Sequence, residues 1–418
     1  MSSSEPAQKF TVRIARSLSE VDAAAWDACA NPAALTLADL DGNTESAAQK
    51  ERHNPFISYD FLNALETSGS ATAKTGWTPL HVLVENADGT LAACAPCYAK
   101  THSMGEYVFD YAWADAYERA GGRYYPKLQV CVPFTPVQGR RLLVAPGPQS
   151  ADARAYLIGG LRALREKTGA SSIHITFPNK IDCEDLASAG MLSRTGKQFH
   201  FFNENYENFE DFLKALSSHK RKTIRRERRD ALRNDIEIEL VTGSAIGEQH
   251  WDAFYAFYMD TGSRKWGRPY LTRKYYSQVG TAMADRILLV MAKRNGRYVA
   301  GAINFIGDDA LYGRNWGCLE EHPFLHFELC YYQAIEYAIQ HKLARVEAGA
   351  QGEHKLARGY KPVTTYSSHD ISDRNFSRAV ENFLEEERRE IAHVIEAYGE
   401  HVPFRKDAAR EAALEQDY

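Results

Sequence analysis

A run of basic residues suited to binding phosphate lies in the middle of an otherwise acidic chain. Eight of the fourteen residues in 220–233 are Lys or Arg, whereas the 418-residue chain carries a net charge of −5. The cations recur at four-residue steps, among them Arg221, Lys222, Arg225, Arg226 and Arg229. On a helix they form one stripe, in which each like-charge pair costs about 0.2–0.5 kcal/mol. The stripe predicts an anionic partner, RNA or a nucleotide phosphate; the alternative is a solvated helix face that binds nothing.

A glycine-rich segment near residue 350 holds groups that suit acyl transfer to an amine. Glu353 and His354 are candidate proton acceptors, because a carboxylate or an imidazole can take the proton of an attacking ammonium. Arg358 can bind a phosphate or carboxylate through paired hydrogen bonds, and Tyr360 is assigned to substrate binding with it. Glycines between these residues let the backbone approach a ligand closely. The alternative is an exposed loop whose side chains are satisfied by local hydrogen bonds.

Two further groups of residues combine aromatic rings with charges. Aromatic faces stack on bases or pack against side chains, and neighbouring cations hold phosphates. The first half of the chain offers Trp113, Asp115, Tyr117, Tyr125 and Lys127, and the second half offers Lys265, Trp266 and Tyr270. We expect both groups to bind substrate; the alternative places their rings in the hydrophobic core.

Composition bounds the class of protein. A hydrophobic content of 44% with 25% charged residues is typical of a soluble globular protein. No run of eighteen apolar residues occurs, and the first ten residues lack the apolar core of a signal peptide. The seven cysteines are scattered and odd in number, which favours reduced thiols in the cytoplasm. Cys94 and Cys97 lie in a predicted strand without metal-ligating neighbours, so we expect core residues and no metal site.

The elements that would position these groups recur in the two halves of the chain. A hairpin turning at Asp88-Gly89 resembles a later one turning at Asn295-Gly296, and such dipeptides favour tight hairpin turns. An aromatic strand is predicted after each hairpin, at 107–111 and 311–316, and each half then has a helix that leads into a short strand. The repeat predicts two copies of one α/β unit.

The basic stripe opens the second copy. An amphipathic helix at 209–216 precedes it, Ser217 or Ser218 can cap it, and it is predicted to end near Asn234. Glu328 lies among apolar residues of a later helix, so we expect it to be buried in a structural ion pair. The predicted organisation is a first lobe at 1–200 with a surface loop at 31–54, a second lobe at 201–372, and a C-terminal helix and charged tail at 373–418.

Several longer motifs resemble those of the FemAB-like predicted N-acyltransferases, a branch of the Fem family. They are Trp113-Ala-Asp-Ala-Tyr117, Tyr124-Tyr-Pro-Lys-Leu128, Pro133-Phe-Thr-Pro136, Lys265-Trp-Gly-Arg-Pro-Tyr-Leu-Thr272 and the segment 347–369. The resemblance covers residues 55–400 and implies a mixed α/β fold made of a tandem pair of GNAT-like lobes with a C-terminal helix. Fem proteins use aminoacyl-tRNA to add amino acids to peptidoglycan precursors. Lys355 matches the lysine that the family places beside the acyl carbonyl, where its charge would stabilise the oxyanion.

The resemblance therefore implies a cytoplasmic N-acyltransferase with no tightly bound cofactor. Its donor would be aminoacyl-tRNA or acyl-CoA, and its acceptor a small or nucleotide-linked amine bound between the two lobes. The segment 319–325 carries two glutamates where an acetyl-CoA enzyme holds pyrophosphate at a helix N-terminus, which disfavours acyl-CoA. Two alternatives stay open: an acyl-CoA-dependent N-acetyltransferase, and a non-catalytic nucleotide- or RNA-binding protein on the same scaffold. The oligomeric state is open as well.

Overall fold

The computed structural model describes residues 10–32, 52–265, 269–350, 352–400 and 402–405, with only the backbone of Lys265. By its internal contacts the chain divides into two compact units: Met1–Thr195 with Thr365–Arg388, and Gly196–Thr364 with Arg389–Tyr418. Each unit contains both helices and strands, and a long helix lies near the C-terminus. The prediction of a mixed α/β fold with two lobes and a C-terminal helix is confirmed.

The first unit contains eight strands and five helices of its own among its described residues. The strands are β1 Thr11–Ala15, β2 Trp77–Pro79, β3 His81–Glu85, β4 Leu91–Ala95, β5 Cys97–Lys100, β6 Lys127–Val130, β7 Leu143–Val144 and β8 Ser172–Thr176. The helices are α1 Ala23–Ala30, α2 Tyr59–Thr67, α3 Tyr111–Arg119, α4 Ser150–Thr168 and α5 Lys180–Ser188. One sheet has the order β1-β3-β4-β7, and β8, β6, β5 and β2 are neighbours in another.

The core of the first unit lies between α4 and these strands. Leu157, Leu161 and Leu164 recur at the spacing that puts them on one face of a helix, and all three are buried. They belong to one apolar cluster with strand residues such as Val84 and Ile175. The helical spacing of these leucines gives α4 one apolar face, and that face packs onto the sheet.

The second unit contains five strands and six helices of its own among its described residues. The strands are β10 Ile236–Thr242, β11 Ile287–Arg294, β12 Arg297–Ile306, β13 Ala310–Cys318 and β14 Arg345–Glu347. The helices are α6 Phe209–Ala215, α7 Ser218–Ala231, α8 Glu248–Lys265, α9 Arg273–Ala282, α10 Leu325–Phe327 and α11 Gln333–Gln340. A wide π-helical turn, Glu328–Tyr332, joins α10 to α11, and a 3-10 helix spans Glu353–Arg358.

Three elements carry the chain from one unit to the other: β9 Leu192–Phe202, β15 Lys361–Ile371 and α12 Arg374–Glu400. In the second unit the strand order is β10-β11-β12-β13-β14, followed by the part of β9 around His200. Strands β10 to β13 pair antiparallel, whereas β13 and β14 pair parallel and are connected through the helices α10 and α11. This crossover brings the helical segment beside the end of β13.

Most predicted elements are present, and one is wrong. The strand expected at 107–111 does not form: Tyr107 has a φ of 61°, and α3 begins at Tyr111. A left-handed residue breaks an extended strand, and the amide groups of Trp113 and Ala114 bond to the carbonyl of Asp110 to start the helix instead. The basic helix α7 ends at Ala231, three residues before Asn234, which has a φ of 59°.

Further predictions concern the N-terminal cap of α7, two of the cysteines, the surface loop and the C-terminal tail. Ser217 caps α7 by position, although its side chain makes no capping hydrogen bond. Cys94 and Cys97 are buried in β4 and β5 and are unbridged, as expected of core residues. Most of the predicted surface loop, at 33–51, and the charged tail after residue 405 lie outside the described residues. None of the described helices is both long enough and apolar enough to cross a lipid bilayer.

Candidate functional site

A bulge in the second unit opens a cavity between two paired strands. The register of β12 against β13 shifts at Asn304: Ile303 pairs with Asn315, whereas Asn304 pairs with Gly313. Arg314 is therefore the extra, bulged residue. A cavity of about 90 Å³ lies at this point. It is lined by Ala302, Ile303, Asn304, Gly313, Arg314, Asn315, Trp316, His326, Cys330, Tyr331 and Ala348.

The π-helical turn forms the second wall of this cavity. Its widened turn presents Cys330 and Tyr331 to the cavity, while Glu328 on the same turn is fully buried. Arg228 of the basic helix holds Glu328, with an Nη2–Oε1 distance of 2.9 Å. The prediction that Glu328 forms a buried ion pair is confirmed.

Lys355 lies next to the cavity and is almost completely buried, with 1% of its surface exposed. Its Nζ donates a hydrogen bond to the carbonyl oxygen of Gly349 at 2.9 Å, and no described carboxylate forms an ion pair with it. Burial lowers the pKa of Lys355 to about 7, and its titratable neighbours are Cys330 and Arg314, which line the cavity. A buried amine without a counter-ion is unusual, and such groups mark candidate functional sites.

The two predicted proton acceptors lie on the exposed side of the same segment. His354 Nε2 and Tyr331 Oη are 2.8 Å apart, so a cavity-lining hydroxyl contacts the imidazole. Burial, followed by the charges of Arg358 and Lys355, lowers the pKa of His354, which keeps the ring neutral and able to take a proton. The carboxylate of Glu353 accepts a hydrogen bond from Tyr398 on α12.

Two glycines of this segment have left-handed backbone conformations. Gly352 and Gly359 have φ values of 113° and 88°, which disfavour any residue with a Cβ. A Cβ on Gly359 would lie 2.7 Å from the ring of Phe212. These glycines let the segment fold tightly against its own unit, and they set the direction in which Lys355 enters the interior.

Arg358 and Tyr360 are buried in the second unit. Arg358 Nη2 donates to both carboxylate oxygens of Glu227 on the basic helix, at 3.1 and 2.9 Å. Its Nη1 donates to the carbonyl oxygen of His354 at 2.8 Å, and its guanidinium lies 3.4 Å from the centroid of the Phe327 ring. Tyr360 is 0% exposed and belongs to the hydrophobic core. In the free protein Arg358 holds the segment in place, so its predicted role as a substrate clamp remains a prediction.

The two faces of the basic helix α7 have different surroundings. Its inner face buries Ile224, Glu227 and Ala231, whose spacing places them on one side. On the outer face, Arg225 pairs with Glu210 and Arg229 lies 3.3 Å from Asp230. Four further cations form no ion pair with any residue that the structure describes: Lys220, Arg221, Lys222 and Arg226. These four residues, called the free basic patch below, are the part of the basic run whose charges no described carboxylate neutralises.

In the first unit, the predicted aromatic residues are divided between a core and a surface. Trp113 is buried and contacts His369 edge-on, with ring centroids 4.9 Å apart. Tyr117 stacks on Phe376 at 4.6 Å, within the same apolar cluster. Asp115 lies on the opposite, exposed face of α3, where it pairs with Arg119 at 2.7 Å. The structure brings the two rings together and leaves Asp115 apart from them.

Lys127 lies in a buried charged cluster of the first unit. Its Nζ is 2.7 Å from Glu106 Oε2 and 2.9 Å from Ser103 Oγ, and it also bonds to the carboxylate of Asp110. Burial lowers the pKa of Lys127, but the charges of Glu106 and Asp110 outweigh this and raise it. Burial raises the pKa of Glu106 to about 7. Tyr125, whose hydroxyl is 2.8 Å from Ser103 Oγ, borders the cluster.

The cluster continues through a chain of buried polar side chains. Tyr124 donates to Asp110 Oδ2 at 2.7 Å and lies 3.3 Å from His174 Nε2. The Nδ1 atoms of His174 and His369 are 2.7 Å apart. Burial, followed by the charge of Lys127, lowers the pKa of His174 to about 3, so this pair is uncharged.

The structure describes only part of the predicted group Lys265, Trp266 and Tyr270. Trp266 and the side chain of Lys265 lie outside the described residues. The backbone amide of Tyr270 donates to the hydroxyl of Tyr258 at 3.0 Å, which fixes the chain after the undescribed stretch. The role of this group in substrate binding stays a prediction.

Sequence reasoning missed most of the cavity lining. Asn304 stands in an otherwise apolar strand, and Gly313 lies inside a strand, where glycine often marks a bulge or a close approach. These two signals could have indicated the bulge. Arg314 and Cys330 gave no comparable signal, because only the register of β13 and the π-helical turn bring them together. Among the described residues, no cluster of His, Cys, Asp and Glu has the arrangement of a metal site.

The chain was compared with protein families, curated proteins and solved structures. A FemAB-like family model, described as peptidoglycan biosynthesis/recognition, matches residues 17–406. No curated protein matches the chain. A crystal structure of FemX is 12% identical and covers 79% of this chain and 95% of its own, with a TM-score of 0.49. The structure of L-PGS from Bacillus licheniformis is 10% identical and covers 77% of this chain and 95% of its own, with a TM-score of 0.45. At such identities and scores the likeness assigns no residue role to this chain.

Proposed function

Because this chain belongs to the FemAB-like family, we propose that it transfers an acyl group, an aminoacyl group carried by tRNA, to an amine acceptor. The membership confirms the predicted family and, with it, the class of enzyme, an acyltransferase. The family description supports an acceptor related to peptidoglycan. The donor, the acceptor and the cytoplasmic location belong to the proposal.

The observation that carries the proposal is the burial of Lys355 without a counter-ion beside the bulge cavity. A lysine in this position destabilises the free protein, since burial opposes its charge and no carboxylate among the described residues compensates. A negative charge that develops on an acyl oxygen would relieve this, and it would do so most in the transition state. Lys355 is therefore proposed as the oxyanion partner.

The proposed reaction has a simple balance. The amine nitrogen forms a bond to the acyl carbon, and the ester bond between that carbon and the tRNA ribose breaks. The ribose oxygen takes a proton, and the amine loses one. We assign the proton acceptor to His354, whose Nε2 lies 2.8 Å from the hydroxyl of Tyr331 on the cavity wall.

The preference for tRNA over acyl-CoA rests on two features of the second unit. The free basic patch lies on α7, the helix whose Glu227 and Arg228 hold the segment around Lys355 and the π-helical turn. By contrast, the chain before α10 carries Glu320, which pairs with Arg294, and Glu321, which pairs with Arg264. Carboxylates at that position, just before the helical segment that begins at Leu325, oppose a pyrophosphate.

The test is a screen of the purified protein with aminoacyl-tRNAs, acyl-CoAs and nucleotide-linked amines, read by the mass increase of the acceptor. We expect transfer from aminoacyl-tRNA that falls at least about 100-fold in Lys355→Ala, as for removal of one oxyanion donor. Lys214→Ala, at an exposed lysine of α6, is the matched control and should keep full activity. Transfer from acyl-CoA alone would replace the donor in this proposal. RNA binding without transfer to any amine would favour a non-catalytic binding protein.

A further inference from the structure

The bulge cavity contains one buried polar atom that the protein leaves unsatisfied. Asn304 is 1% exposed, and its Nδ2 donates to the carbonyl oxygen of Leu288 at 3.4 Å. Its Oδ1 has no hydrogen-bond partner among the described residues. If the amide were flipped, Oδ1 would face the carbonyl oxygen of Leu288, and two acceptors would meet. The Leu288 carbonyl therefore fixes which side of the amide Oδ1 occupies. Leaving such an acceptor buried and unpaired costs about 1–3 kcal/mol.

The unsatisfied oxygen faces the cavity. A Cβ built on Gly313, which pairs with Asn304 across the bulge, would lie 3.3 Å from Oδ1. Because Gly313 has no side chain, the space in front of the amide stays open, and both residues line the cavity. A ligand that occupies this space would meet Oδ1 directly.

The charges around the cavity restrict what that ligand can be. Oδ1 accepts a hydrogen bond, so the ligand must bring an N–H or an O–H group. None of the described lining residues is acidic, whereas Arg314 is cationic and Lys355 lies close by. An ammonium would be repelled here, but an uncharged amine would not. At about 90 Å³, the cavity has room for the end of an aminoalkyl chain and not for a ring system.

We propose that Asn304 holds the attacking amine of the acceptor in its uncharged form, with the amine N–H donating to Oδ1. This inference rests on the proposed function for the identity of the amine as acceptor. An amine attacks an acyl carbon only when it is deprotonated, so a site that accepts the neutral form selects the reactive state. Asn304 is thus a positioning and specificity residue, whereas Lys355 acts on the acyl oxygen and His354 takes the proton that the amine loses as it attacks.

The test uses propylamine as the probe and measures its binding to the full chain by ligand-observed NMR between pH 7 and 9. Apparent affinity for the wild type should rise about tenfold per pH unit, because only the neutral fraction of the amine binds. Asn304→Leu removes the acceptor oxygen at similar volume and should abolish binding. Asn304→Asp adds a negative charge beside the amine, so the rise with pH should disappear as the ammonium binds too. Gly313→Ala places a methyl group against the site and should also block the probe.

Folding and function are separated within the same experiment. Asn304→Leu should unfold at the same urea concentration as the wild type or a higher one, because it removes an unsatisfied polar group. Unchanged propylamine binding in the folded Asn304→Leu variant, or wild-type affinity that does not depend on pH, would overturn the inference.

Measurements of acyl transfer distinguish a failure of this inference from a failure of the proposed function. Acyl transfer whose KM for the acceptor amine is unaffected by Asn304→Leu would overturn the inference and leave the proposed function standing. If the protein binds the neutral amine through Asn304 but transfers no acyl group from any donor, the proposed function would be overturned and amine binding by Asn304 would stand.

Discussion

Glu227 and Arg358 form a buried ion pair that joins the basic helix to the segment carrying Lys355. The two residues are 131 positions apart in the chain, and each is less than 10% exposed. Tyr332 of the π-helical turn donates a further hydrogen bond to the same carboxylate. The inner face of α7 thus holds the candidate catalytic segment in place.

Removing one partner of this pair should destabilise the protein strongly. Arg358→Met leaves the carboxylate of Glu227 buried with only the hydroxyl of Tyr332, at an expected cost of about 3–5 kcal/mol in the free energy of unfolding. Adding Glu227→Gln to that variant keeps a hydrogen-bond acceptor for Tyr332 and should recover most of the loss. Urea unfolding measures both.

Arg221→Met is the control for this prediction. Arg221 lies on the same helix and forms no ion pair with a described residue, so its substitution should change stability by less than about 0.5 kcal/mol. Full stability of Arg358→Met would mean that Arg358 is free to bind substrate, as its sequence context suggested.

The charge of Lys355 should limit activity at alkaline pH. Its pKa is lowered by burial from 10.5 to about 7, so the ammonium form is present below pH 7 and is lost as pH rises. If the ammonium stabilises the oxyanion, kcat/KM should fall above about pH 7, because this ratio follows the ionisation of the free enzyme. Lys355→Arg keeps its charge over this range, so its slower reaction should lack that decline.

A pH series of initial rates with aminoacyl-tRNA, covering pH 5 to 9, checks this. The acceptor amine gains reactivity as it deprotonates, so the comparison of the two enzymes isolates the contribution of Lys355. Parallel profiles for the wild type and Lys355→Arg would remove the charge of Lys355 from the mechanism.

The sequence predicted those parts of the site that depend on local patterns. The basic stripe and the burial of Glu328 both follow from spacing along a few turns of chain. The bulge at Asn304 depends instead on the register between two strands, and one added residue decides it. The carboxylate partners of Lys127 were missed because they lie in an irregular segment where the pattern near Tyr107 predicts a strand.

RNA binding should depend on the free basic patch more than on the paired arginines. Lys222→Gln with Arg226→Gln removes two unpaired charges, whereas Arg225→Gln with Arg229→Gln removes two that already pair with Glu210 and Asp230. Both variants lose the same formal charge. We expect the first to weaken tRNA binding more and to reduce the slope of log K against log salt by about 0.7–0.9 for each phosphate that is no longer neutralised.

Fluorescence anisotropy of labelled tRNA across a series of salt concentrations measures both quantities. Equal losses of affinity in the two variants would mean that net charge alone, and not the free basic patch, attracts the RNA. Unchanged binding in both would exclude the basic helix from RNA recognition.

The buried cluster around Lys127 should be sensitive to loss of its cation. Lys127→Met leaves the buried Asp110 without its cation and leaves Glu106 with only Lys100, whose Nζ is 3.7 Å from Glu106 Oε1, at an expected cost of about 3–5 kcal/mol. Because burial already raises the pKa of Glu106 to about 7, the variant should take up a proton there, and its loss of stability should be smaller at pH 5 than at pH 8. Urea unfolding at the two pH values tests this, with Lys74→Met, at an exposed lysine of the same unit, as the control. A uniform loss at both pH values would show that packing of the lysine stem, and not its charge, holds the cluster together.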